Sequence, residues 1–139
     1  MQTFVSAADQ EFDMYMVINE AHTGLAPLAL LFTIAWALVA ATVPAGFSAL
    51  GGWRKSVYIA AMAVTGLVGL TGLIVTVMGS WYTAGFVWIG LIAVILHGIA
   101  GVRSRKAAVA GAKGRAVSMA VAQIIFLVIA YGLMTVRPF

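Results

Sequence analysis

The stretch AGFVWIGLIAVILHGIAGV, residues 84–102, is followed at once by Arg103, Ser104, Arg105 and Lys106. Its only ionisable side chain is His97, and its length matches the roughly 20 residues a helix needs to cross a hydrocarbon core of about 30 Å. Cations begin where the apolar run ends, as at a water boundary. Three further runs, 23–43, 57–78 and 116–136, have the same character. The remaining composition agrees: of 139 residues 63% are hydrophobic and 9% charged, with mean hydropathy +1.07, whereas about a quarter of a soluble domain is charged. These observations predict an all-α integral membrane four-helix bundle over 22–139, preceded by an acidic segment over 1–21. Pro27 falls in the first turn of the first expected span, where its missing N–H costs little, and Pro44 lies just past the end.

The charges set an expected orientation. Arg54, Lys55, Arg103, Arg105, Lys106, Lys113 and Arg115 share one side, and Arg137 alone is on the other. The excess of cations on cytoplasmic loops then predicts both termini on the outer, periplasmic side of the inner membrane. Asp9, Glu11, Asp13 and Glu20 are all the carboxylates of the chain, and no basic residue precedes them, so a secretory leader is not expected. Phe4, Val5, Ala8, Phe12, Tyr15 and Met16 recur at helical spacing, and Ser6 with Asp9 resembles a capping box. The segment reads as an interfacial helix or as a solvated tail, with a protein partner suiting it better than anionic lipid. Trp53, Trp81, Tyr82 and Tyr15 read as interfacial anchors.

Several function classes fall away. Cysteine is absent, which removes disulfides, thiolate nucleophiles and Cys-ligated metals. No Asp, Glu, Lys or Arg lies within the four expected spans, against hydrolase chemistry, a carboxylate proton relay or a voltage sensor. A solute transporter is disfavoured on the same ground, and a net charge of +4 that sits at membrane boundaries gives no case for nucleic acid.

Two histidines remain. Gly90, Ala93, His97 and Gly101 follow at steps of three or four, so the imidazole projects from a stripe of small residues where a helix or a flat cofactor can approach. His97 can be a ligand to haem iron or chlorophyll magnesium, a proton-transfer group, or a structural histidine. In the last case Gln123, at matching depth on the fourth span, is its hydrogen-bond partner, with Tyr58, Ser118 and Thr42 at similar inner depths. His22 is expected at the outer boundary, partly solvated beside Glu20. The two rings are then about 20 Å apart in depth, so they make separate sites and not one bis-His haem. Gly66, Gly69 and Gly72 on the second span, with Ala61 and Thr65, read as close-packing positions. Phe126 and Leu127 on the fourth read as facing lipid or a larger partner.

The arrangement resembles the four-helix membrane proteins of the copper-resistance D (CopD) and HemJ protoporphyrinogen oxidase type. The resemblance is carried by Ala21-His22, by Gly69-Leu-Thr-Gly72-Leu, and by Leu96-His97-Gly98-Ile-Ala-Gly101-Val-Arg103. It implies haem b with His22 as ligand and, for HemJ, oxidation of a porphyrinogen. The lysine such proteins carry near the start of the third span is replaced here by Phe86-Val-Trp-Ile-Gly90. Ala93-Val-Ile-Leu-His97 is also similar to the Ala-x-x-x-His of bacterial antenna helices, which implies bacteriochlorophyll on His97. The reading expected from all of this is a non-catalytic subunit of a larger membrane electron-transfer complex, respiratory or photosynthetic, holding at most one haem or chlorophyll. It sits in lipid among other membrane subunits, and the alternative is a haem b oxidoreductase of the HemJ or CopD type. Alkaline phosphatase fused after Phe139 is expected to be active in a bacterial host, and the same fusion placed at Ala112 inactive; the opposite pattern would reverse the orientation.

Overall fold

The computed structural model describes residues 7–44 and 50–136. Four long helices follow one another: α1 (Ala7–Thr42), α2 (Gly52–Met78), α3 (Gly85–Val109) and α4 (Lys113–Val136), with one 3-10 turn, Trp81–Thr83, between α2 and α3. All four contain stretches long and apolar enough to cross a membrane, and the chain is an integral membrane helix bundle. α1 packs along α2 and α3 along α4, the two pairs meet chiefly through α1 and α4, and α2 touches α3 sparingly.

The elements outrun the hydropathy at two places. α1 has no break between the acidic segment and the first apolar run, so residues 7–21 continue into the first span as one helix. Ser6, of the expected capping box, and Arg137 lie outside the described residues. Pro27 is therefore interior to α1, and having no N–H it leaves the Thr23 carbonyl without its usual partner four residues on. α3 runs through Arg103, Arg105 and Lys106 to the Ala-rich Ala107-Ala108-Val109, which sustains a helix intrinsically. The expected basic loop shrinks to a turn at Gly111. Its φ of +74° lets Ala112 N–H bond Ala107 O at 2.9 Å and Gly111 N–H bond Ala108 O at 3.1 Å, the paired bonds of a Schellman stop.

Four levels succeed one another from the end carrying Arg54, Lys55 and Arg103, the basic end, toward the acidic start of α1. The first is an apolar core of Trp36, Val39, Ala40, Ala61, Ala107, Ala116 and Ala120. Trp36 is fully buried; its Nε1 donates to Ser104 Oγ at 3.1 Å, and Ser104 Oγ donates to Ala116 O at 2.8 Å. Next is a polar layer of Thr33, His97 and Gln123, then a small cluster of Ala29, Val68 and Leu127, and last a cavity. Leu127, expected to face lipid or a partner, turns inward.

The glycine expectation divides. A Cβ on Gly69 would lie 3.1 Å from Val94 Cγ1, and one on Gly72 would lie 2.9 Å from His22 Cε1, but one on Gly66 would meet nothing within 4 Å. Steps of three rotate about 60° backward round a helix of 3.6 residues per turn, so Gly66 has left the contact face. Ser104→Ala is expected to leave the Trp36 N–H buried without an acceptor and to lower stability by about 1–3 kcal/mol, readable as a lower thermal midpoint in detergent.

Candidate functional site

The small-residue stripe on α3 is buried throughout, from Gly90 and Ala93 to His97 and Gly101, and α4 lies against it. A Cβ on Gly101 would sit 2.5 Å from Gln123 Nε2 and 2.6 Å from Met62 Sδ, so the glycine is what admits the amide. Gln123 Nε2 donates to His97 Nε2 at 3.2 Å. The Thr33 hydroxyl, which donates to Ala29 O at 2.8 Å, lies 3.2 Å from the same nitrogen. Thr33, His97 and Gln123 are all at most 1% exposed, and they join α1, α3 and α4 midway along the bundle.

That geometry bears on haem or chlorophyll at His97. Accepting from Gln123 uses the Nε2 lone pair and leaves the proton on Nδ1, so neither nitrogen offers a lone pair to a metal. His97 does not line the cavity beside His22. With these hydrogen bonds in place the residues around it do not fit either group, and the contacts it makes join α1, α3 and α4. Tyr58 is not part of this layer: it meets Trp36 edge to face, with centroids 5.0 Å apart, beneath the Arg105 guanidinium at 5.4 Å.

His22 departs most from expectation, being only 5% exposed instead of partly solvated. Its Nδ1 lies 3.1 Å from Val68 O and 3.1 Å from Thr71 Oγ1. A carbonyl can only accept, so Nδ1 carries the proton and Nε2 keeps a bare lone pair. Nε2 faces Met134 Sδ at 3.2 Å, and a thioether has no proton to donate. Burial of His22 depends on Gly72, whose missing side chain makes room for the ring.

Beside the ring is a cavity of about 380 Å³ lined by all four helices, within the size range of small-molecule sites. Trp81, Phe86 and Tyr15 contribute aromatic surface, and no Asp, Glu, Lys or Arg lines it. Trp81 and Tyr15 thus line the cavity, whereas Trp53 and Tyr82 are 62% and 58% exposed. His22 lies about 16 Å along α1 from Thr33, the partner of His97, too far for the two rings to share one metal.

Sequence reasoning missed Thr33 and Trp36. Their signal was available in α1 as Ala29, Thr33, Trp36 and Ala40, small or hydrogen-bonding residues at helical spacing on one face. Among the described residues no group of three or more His, Cys, Asp or Glu side chains is placed to hold a metal ion.

A double-mutant cycle over His97→Leu and Gln123→Leu, read by unfolding in detergent, is expected to give a coupling of about 1 kcal/mol, and zero coupling would break the pairing. Comparison with protein-family models, curated proteins and solved structures returns no match for this chain.

Proposed function

We propose that this protein is a non-catalytic subunit of a larger electron-transfer assembly of the inner membrane, respiratory or photosynthetic, with both termini outward. Its own contribution is one ligand chamber beside His22. The observation that carries this reading is a bare imidazole nitrogen, buried inside the bundle, next to an apolar cavity that all four helices line. No Asp, Glu, Lys or Arg lines that cavity, so it offers no carboxylate or ammonium group for acid–base work unaided. Trp88, Ile92, Ile95, Ile99 and Val102 form an exposed apolar stripe along α3, which suits lipid or a neighbouring membrane subunit. Exposed Asp13 and Glu20 on the early turns of α1 suit a basic partner.

A second reading, haem b on His22 as in the CopD and HemJ resemblance, is favoured by one feature. The Nδ1–H is held by a backbone carbonyl, the arrangement that orients metal-ligating histidines. His22 would hold the iron, and the haem would supply one-electron transfer. Met134 Sδ lies 3.2 Å from Nε2 and would have to move for any group to reach that nitrogen.

The test is a visible spectrum of the protein from mildly solubilised native membranes, with and without dithionite, together with identification of what co-purifies. Colourless protein accompanied by redox subunits is the expected outcome. A haem band that His22→Ala removes while the fold is retained would establish the second reading, and a colourless protein purifying alone would overturn both.

A further inference from the structure

We propose that the cavity beside His22 binds the ring of a hydroquinone carried on a lipid tail, with a ring hydroxyl donating a hydrogen bond to His22 Nε2. The choice of a hydroquinone among hydroxylated lipids rests on the electron-transfer reading; the need for a neutral donor does not.

Four observations converge. The cavity has no ionised side chain in its walls, so it admits a neutral ligand and penalises a charged one. His22 is more than nine-tenths buried, and its free nitrogen can only accept, because Val68 O holds the Nδ1 proton. Facing that nitrogen is a methionine sulfur, a weak partner that leaves the acceptor capacity unused. An unused acceptor at His22 selects a ligand that brings an O–H group to it, while Tyr15, Asn19 and Tyr131 in the same walls carry hydrogen-bonding groups of their own. Trp81 and Phe86, 6.1 Å apart and steeply inclined, supply the aromatic wall a flat ring packs against.

Access suits a molecule dissolved in the bilayer. Thr23, Pro27, Leu73 and Tyr131 belong to the lining and are exposed, and all four lie within the apolar spans. The rim therefore opens sideways at membrane depth, where a lipid tail stays in acyl chains while the ring enters.

The experiment uses the full chain in lipid nanodiscs and three decyl-tailed probes: a hydroquinone kept reduced under anaerobic conditions, its quinone, and its redox-inert dimethyl ether. Quenching of Trp81 fluorescence reads binding, with Trp81→Phe as the control. One hydrogen bond to a buried acceptor is expected to make the hydroquinone bind about tenfold tighter than the ether. His22→Phe is expected to abolish that preference while leaving ether binding in place, and Ala130→Phe, which fills the cavity, to abolish all three. The contrast among probes on the wild-type protein needs no variant to fold. Equal affinity for hydroquinone and ether, binding of none, or a preference retained in His22→Phe would each overturn the assignment. If such a result accompanies co-purification with redox subunits, the ligand falls and the subunit reading stands.

Discussion

Gly101 has no room for a side chain, and much of the bundle depends on that. Hydrophobic burial cannot hold helices together in lipid, because acyl chains are as apolar as leucine; close packing and interhelical hydrogen bonds have to do it. The bare face of Gly101 brings Gln123 of α4 and Met62 of α2 against α3. Gln123 thereby reaches His97, and His97 lies beside Thr33 of α1. Three helices meet in one layer because one residue has no Cβ. Larger residues at Ala93 or Ser104, both buried, would hold α4 away from the stripe and leave buried polar atoms without partners.

The same layer separates two unlike ends. Toward the basic end, alanines fill the space between helices and Trp36 plugs the remainder, its N–H bonded through Ser104 to a backbone carbonyl. Toward the acidic start of α1 the filling is incomplete: Gly69, Gly72 and Gly90 line a space that larger side chains would close. The two histidines divide along this line. His97 has its Nε2 lone pair used within the protein and acts as a joint, whereas His22 has one nitrogen fixed by the backbone and the other left to a thioether. Identical side chains thus meet unlike surroundings, set by which partners the neighbouring helices bring to them.

Hydropathy and residue spacing determined the number of helices and the small-residue face of α3, and offered Gln123 as one of several candidate fates for His97. Each follows from local chemistry: a polar group in lipid is costly alone, and two at matching depth meet. What lies beyond local chemistry is how far each helix runs and how its neighbours are shifted along it. α1 continues through its acids instead of stopping at Thr23, which sets His22 deep against α2 and not at a water boundary. α3 continues past Arg103, which leaves His97 midway along the helix. Only the tertiary structure decided that Gly72 stands opposite His22, that Gly66 does not pack, that Tyr58 belongs to Trp36, and that a cavity remains among four helices. A void is made by the misfit of surfaces from distant segments, and no single segment of sequence contains it.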